Sequence, residues 1–273
     1  LNFTPQLAVM TSLRLDQFET ETNSQTALSP KFGVVYQPVL DKVALFANYM
    51  DGFSNVGPRQ VDNLETGETR TIVFDPERAK QFEVGTKLNL LKNHLSATLS
   101  YYDIQVSNMV MQDAENPFNL VQDGEQYSRG FEASLTASPF EGLNLIAGFS
   151  HNDSELTESD QTDFLGRRPE SAGPETLANF WASYRFVQGN LKGFGLGFGG
   201  NYASENMIFN RQTAGIFTLP SYTILNASLF YNVDEFGINL KLNNLTNEEY
   251  YTGWSTINPQ RPRNFAASLT YNF

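Results

Sequence analysis

The chain has 273 residues, with 18 Lys and Arg against 30 Asp and Glu, giving a formal net charge of −12. That balance excludes a basic nucleic-acid footprint and disfavours any polyanionic partner, while the lack of cysteine excludes disulfides, thiol catalysis and thiolate metal sites. His94 and His151 stand far apart, which argues against a His-based metal site, and no apolar run reaches the roughly 18 residues of a membrane helix.

Side-chain alternation predicts about twelve β-strands in an all-β fold. The first three lie near 6–15, 31–38 and 42–50. In the next, near 79–90, Phe82, Val84, Thr86, Leu88 and Leu90 stand opposite Glu83, Gly85, Lys87 and Asn89. Near 92–106, Leu95, Ala97, Leu99 and Tyr101 alternate with Ser96, Thr98, Ser100 and Tyr102. Near 129–138, Phe131, Ala133, Leu135 and Ala137 alternate with Glu132, Ser134, Thr136 and Ser138. Strands near 142–153, 176–186 and 193–205 follow. The last of these holds Gly193, Gly195, Gly197, Gly199 and Gly200. These glycines predict a smooth inner strip where the wall approaches another element, or simple strand curvature at low side-chain volume. The final three strands lie near 220–232, 235–245 and 264–273, and in the last Phe265, Ala267, Leu269, Tyr271 and Phe273 share one face.

One face of each strand is apolar and the other carries amides, hydroxyls and charges. Such groups are costly in a dry sandwich core but natural in the wet interior of a membrane barrel, whose apolar face meets lipid. Short connections near Pro38–Asp41, Leu91, Pro139–Glu141, Val187–Lys192 and Val233–Asp234 alternate with long ones near 16–30, 51–78, 107–128, 154–175, 206–219 and 246–263. Outer-membrane barrels have short periplasmic turns and long extracellular loops, so the C-terminus is expected in the periplasm. The long loops carry acidic clusters at Glu19–Glu21, Glu155–Asp163 and Glu248–Glu249, read as solvation or as attraction for cations.

Several short words are more specific. Ala47–Phe53, Gln81–Lys87, Ser100–Ile104, Arg129–Glu132, Gly142–Leu145, Arg168–Pro169, Ala172–Pro174, Leu242–Asn247 with Tyr250 and Tyr251, and Pro262–Arg263 follow one another through nearly the whole chain. In this order they resemble the barrel of TonB-dependent outer-membrane siderophore receptors, with the ferrichrome or hydroxamate-like branch as the nearest label. The resemblance implies a barrel of about 22 strands around an N-terminal plug. Residues 1–273 would then be its C-terminal portion, and the plug is not recognisable here. The chain does not begin with Met and shows no signal peptide, so a processed chain or a fragment is expected.

The resemblance further implies an energy-coupled importer of ferric-siderophore complexes in the bacterial outer membrane. Its partners would be the plug and first half of the barrel, from the same or a companion chain, a TonB-type energy transducer, and outer-membrane lipid. The ferric siderophore is the transported ligand, and no cofactor or resident metal is expected. Candidate cargo contacts are loop aromatics and a cation: Tyr127, Phe209, Arg211, Tyr250, Tyr251 and Trp254. Aromatics offer flat apolar surface and arginine bonds carbonyl or carboxylate oxygens. Tyr250 and Tyr251 also suit an aromatic girdle. Trp181 and Tyr184 read as lipid-facing or girdle residues, Arg59 and Arg70 as solubilising, and Asn243, Asn244 and Asn247 as turn-bonding groups. Phe273 resembles a barrel-assembly signal.

Nothing points to an enzyme: Ser24, Ser29 and the two histidines form no nucleophile motif. Three other readings stay open. One is a related receptor for vitamin B12, haem or oligosaccharide; another is a self-contained passive pore of about twelve strands; the last is a soluble β-sandwich or lectin-like module.

Overall fold

In the computed structural model, which describes residues 1–20, 23–62, 69–114 and 119–271, the alternating segments form one antiparallel sheet of thirteen strands. In chain order these strands are β1 (Asn2–Thr4), β2 (Leu7–Thr20), β3 (Asn23–Val39) and β4 (Val43–Ser54), then a loop hairpin of β5 (Arg59–Asp62) and β6 (Thr69–Ile72). The wall resumes with β7 (Glu77–Leu90), β8 (Leu95–Gln112), β9 (Leu120–Ala137), β10 (Leu143–Glu158), β11 (Thr176–Arg185) and β12 (Phe194–Ala203). A second hairpin, β13 (Asn206–Arg211) and β14 (Gly215–Leu219), precedes β15 (Tyr222–Val233) and β16 (Phe236–Asn243). A small pair, β17 (Tyr251–Thr252) and β18 (Asn258–Pro259), precedes β19 (Asn264–Tyr271). The twelve predicted strands are all present. Phe273 lies outside the described residues.

Two sequence expectations change. Pairing continues well past the predicted strand ends, so that β2 and β3 run through most of 16–30, and β8 and β9 through most of 107–128. Beyond the membrane a hairpin needs no apolar face, so the alternation used to place strand ends fades while the backbone ladder goes on. The turn at Leu91 is also wider than expected: β8 begins at Leu95, and Leu91, Lys92 and Asn93 all adopt positive φ (52°, 53° and 73°). Residues in that left-handed region supply the twist that closes a tight hairpin.

Cross-strand register fixes the two faces. Leu99 stands between Thr86 and Ala133, and Phe149 lies beyond Ala133 in the same outward row. One row towards the long loops, Tyr101 and Phe131 meet with ring centres 5.0 Å apart. The row after that is charged, with Asp103, Arg129 and Asp153 aligned and Arg129 Nε 2.9 Å from Asp103. At the short-turn end Phe140, Tyr184, Phe186 and Phe194 form a chain of ring contacts. An apolar band bracketed by aromatic rows and then by charge is the outer surface of a transmembrane barrel.

Tyr184 sits in that outer belt, as the sequence suggests. Trp181 does not: it shares the inner face with Asn179 and Ser183, and its ring lies over Gly197 and Gly199 of β12. The period of two already sets Trp181 with Asn179 and Ser183, opposite Tyr184; the expectation followed the aromatic residue's preference for lipid instead, and a bare glycine track on the next strand gives the indole a seat inside. Of the five glycines only Gly195, Gly197 and Gly199 face inward, Gly193 makes a turn at φ 87°, and Gly200 shares the outward row of Phe198 and Tyr202. The same device recurs, with Phe230 over Gly195, Tyr102 over Gly130 and Phe46 over Gly85. The inner wall is thereby levelled. A β-carbon at Gly199 would lie 2.3 Å from the Phe180 carbonyl oxygen and 2.6 Å from the Trp181 ring. Gly199→Val is therefore expected to cost about 1–3 kcal/mol, measured as a lowered unfolding midpoint of the membrane-reconstituted receptor; an unchanged midpoint contradicts this packing.

The Asn motif after β16 is a turn. Asn244 (φ 55°) is 2 % exposed; its amide donates to the Glu248 carbonyl at 2.9 Å and accepts the Glu248 N–H at 2.8 Å. Asn247 (φ 56°) accepts the Arg263 N–H at 2.9 Å. Asn243, on the inner face, bonds Asn264 at 2.9 Å.

Candidate functional site

Above the outer aromatic row, the segment between β10 and β11 folds back on its own strand. The Leu156 N–H donates to the Arg167 carbonyl and the Gly166 N–H to the Leu156 carbonyl. Arg168 then turns inward and is only 9 % exposed. It donates through Nη1 to the Asn152 carbonyl (2.9 Å), through Nη2 to the Asn152 amide oxygen (3.2 Å), and through Nε and Nη2 to the Gly173 carbonyl (3.3 and 3.2 Å). Burial pushes the Arg168 pKa down, while the fields of Glu175, Asp153 and Tyr102 oppose the shift; a guanidinium keeps its charge under such conditions. Asn152 donates in turn to Tyr102 and Ser128. The Arg168–Pro169 and Ala172–Gly173–Pro174 words thus hold this loop to the barrel rim.

The β13–β14 hairpin is bolted onto the same loop. Asn210, buried, donates to the Arg168 carbonyl at 2.9 Å, accepts Arg167 Nη1 at 2.9 Å, and gives its backbone N–H to Glu170 at 3.1 Å. Asp163 accepts both the backbone N–H of Thr213 (2.6 Å) and its hydroxyl (2.9 Å). The Thr213 N–H, before any other cause, holds the Asp163 carboxyl below its ordinary range. A depressed carboxylate pKa contributes stability above the unfolded pKa and loses it as pH falls, so this clasp loosens only on acidification below about 4. The acidic run at Glu155–Asp163 is more than solvation: Asp160 also accepts the Ala114 N–H, at 3.2 Å.

The hairpin presents Arg211 at a pocket of about 370 Å³ lined by Glu170, Ile208, Phe209, Phe217, Ser255 and Ile257 besides Arg211 itself. The Arg211 guanidinium lies 4.4 Å from the Phe209 ring centre and 5.1 Å from that of Phe164. Its Nε donates to Glu170 at 3.2 Å. Apolar walls with one oriented cation suit a ligand that is part flat surface and part polar edge.

Of the predicted contacts, the structure brings Phe209 and Arg211 together here. Trp254 is 63 % exposed on the neighbouring loop, which touches the hairpin where Asn206 donates to the Gly253 carbonyl at 3.2 Å. Tyr250 meets Tyr222 with ring centres 4.6 Å apart and planes tilted by 43°, and Tyr251 begins β17 as an exposed residue. Tyr127 stands apart from this group: it shares the outward face with Phe131, donates to Asp153 and Glu155 at 3.2 Å each, and lies under the Arg129 guanidinium. Phe164 and Glu170 were missed because nothing in a linear sequence joins them to Arg211; the only signal was Glu170's place between two recognisable words. Below the loops, the inner wall opens a recess of about 440 Å³ edged by Ser100, Glu132, Ser134, Asn179 and Asn201. Among the described residues no three His, Asp or Glu side chains gather as a metal site.

A family model described as TonB dependent receptor-like, beta-barrel matches residues 1–245. The metal-pseudopaline receptor of Pseudomonas aeruginosa strain UCBPP-PA14 is 30% identical over 271 residues, covering 96% of this chain and 36% of that protein. The ferrichrome outer membrane transporter and phage receptor of Escherichia coli K12 is 31% identical over 183 residues, 65% of this chain and 24% of that protein. The crystal structure of the ferripyoverdine receptor of the Pseudomonas aeruginosa outer membrane superposes over 100% of this chain and 37% of its own, with a TM-score of 0.81 at 20% identity, a likeness of fold. The chain thus spans between about a quarter and little more than a third of the length of these relatives.

Proposed function

Because the chain belongs to the TonB-dependent receptor β-barrel family, we propose that it forms the C-terminal portion of the barrel of an energy-coupled importer of ferric-siderophore complexes. The barrel lies in the bacterial outer membrane. One observation carries the reading: the sheet has an apolar outer face and a levelled, polar inner face, yet its edge strands β1 and β19 do not pair with each other among the described residues. Hydrocarbon tolerates no open sheet edge. Further strands are therefore required at both edges, which disfavours a self-contained pore of about twelve strands.

On this reading residues 1–273 act as one barrel portion. The short turns and the C-terminus face the periplasm and the long hairpins face outward. The first half of the barrel and an N-terminal plug come from the same parent chain or a companion. A TonB-type transducer supplies energy through the plug, and the ferric siderophore, not bare iron, is the cargo. The loop cluster around Phe209 and Arg211 receives that cargo first; Tyr250, Tyr251 and Trp254 extend the same rim. Tyr127 would serve only a ligand reaching the outer flank.

The test is radioiron accumulation by cells whose other iron-chelate receptors are deleted and which carry the full-length receptor. Saturable uptake of a ferric siderophore, abolished when the energy transducer is removed, is expected. Uptake confined to vitamin B12, haem or an oligosaccharide moves the receptor to another cargo class. Non-saturable, energy-independent leakage makes it a passive pore.

A further inference from the structure

We propose that Arg211 is a preset fork for a free carboxylate on the rim of the transported chelate, an inference that rests on the importer reading. The guanidinium is fixed on three sides. Phe209 and Phe164 hold its plane from within 4.4 and 5.1 Å of their ring centres, and Glu170 engages Nε at 3.2 Å. Glu170 is itself anchored, since the same oxygen accepts the Asn210 N–H. Among the described residues no partner takes the two terminal nitrogens, and the side chain remains 38 % exposed. They are the edge of the fork that pairs with two oxygens of a planar anion.

The free donors select an acceptor. Arg211 keeps its Nε bond to Glu170 while its two terminal nitrogens stay open, so a carboxylate adds to the arrangement without breaking a bond. Glu170 and Asp163 already balance the arginine's charge, so the gain comes from two directed hydrogen bonds rather than from net charge. The walls select what the carboxylate is attached to. Phe217, Ile208 and Ile257 flank the fork and carry no polar side-chain group. They offer apolar surface to an apolar or flat arm of the ligand. The ordering cost of a long side chain has already been met in the free protein, so the binding gain is not consumed in fixing the arginine. The ligand class is thus a ferric chelate with an uncoordinated carboxylate, rather than a chelate whose periphery is neutral throughout.

The experiment titrates the full-length receptor in detergent with three probes: ferric citrate, the ferric complex of a linear trihydroxamate ending in a carboxylate, and the same complex with that carboxylate amidated. The expected result is that the acid form binds roughly ten- to a hundredfold tighter than the amide. Arg211→Gln should erase that difference, and Arg211→Lys should restore only part of it, because an ammonium keeps the charge but not the fork. Hydrogen exchange across 206–213 checks that the Asp163–Thr213 clasp survives in each variant. Equal binding of acid and amide, or a preference untouched by Arg211→Gln in a variant with an intact clasp, overturns the inference and leaves the importer reading standing. Failure of all three probes together with every other ferric chelate overturns both.

Discussion

An arginine at Leu99 is expected to destabilise the assembled receptor by about 2–4 kcal/mol, whereas an arginine one residue earlier, at Thr98, costs far less. Leu99 is 52 % exposed in the isolated chain, yet it sits midway along the apolar stretch of β8, between Thr86 and Ala133, with the Tyr101–Phe131 row still one step further out. That exposure is to hydrocarbon, where a guanidinium loses its hydration and finds no partner. Thr98 points the other way, opposite Lys87 and Ser134, on a face that already carries a charge. Reversible urea unfolding of the receptor in phospholipid bilayers measures both. The decisive quantity is the difference between the two variants, since global effects of adding charge cancel in it. Equal destabilisation, or a larger cost at Thr98, reverses the assignment of the faces and with it the barrel reading of the whole sheet.

The second large effect is expected at Arg168. Its truncation to Ala leaves the Asn152 and Gly173 carbonyls without their donor, and each buried, unpaired polar group costs about 1–3 kcal/mol. A loop can escape that cost by opening to water, so the loss should appear as local opening of 164–175 rather than as collapse of the barrel. Because Asn210 donates to the Arg168 carbonyl, the β13–β14 hairpin should loosen with it. Hydrogen exchange should therefore speed up by roughly a hundredfold in 164–175 and 206–213, with the unfolding midpoint of the wall little changed. Arg168→Lys should not rescue the protection, as one ammonium cannot span two carbonyls on opposite sides. If exchange stays slow in Arg168→Ala, the loop is held by the Asp163–Thr213 clasp alone and the buried arginine is not its anchor.

Much of the wall was legible because a strand's period of two is written directly into the chain. Leu95 to Tyr102, and Phe236 to Asn243, each announce one apolar and one polar face, and lipid on one side with a wet lumen on the other keeps that pattern sharp. The alternation of short and long links was equally readable, since turns such as Val233–Asp234 leave little room for anything else. Where the chain leaves the membrane, the physical pressure that writes the pattern disappears. The sequence thus placed the ends of β2 and β8 too early and the starts of β3 and β9 too late, and left the β5–β6, β13–β14 and β17–β18 hairpins as plain loop.

The candidate site was legible only as residue types. Phe209 and Arg211 were singled out only as an aromatic and a cation in a long loop, beside Tyr127, Tyr250, Tyr251 and Trp254. What makes them a site is Phe164 and Glu170, which arrive from another loop through the Arg168, Asn210 and Asp163 bonds. No local pattern encodes those meetings.

By itself, then, the amino-acid sequence determined the strand faces and the membrane band, because each depends on the order of apolar and polar residues along one strand, and the family of this chain, through short words that follow one another along nearly its whole length. The tertiary structure alone decided the seat of Trp181 over Gly197 and Gly199, the outward placement of Tyr127, and the Arg211 fork. Each of these depends on the register between strands or on two loops meeting, and a contact between distant segments leaves no mark on either segment's own periodicity.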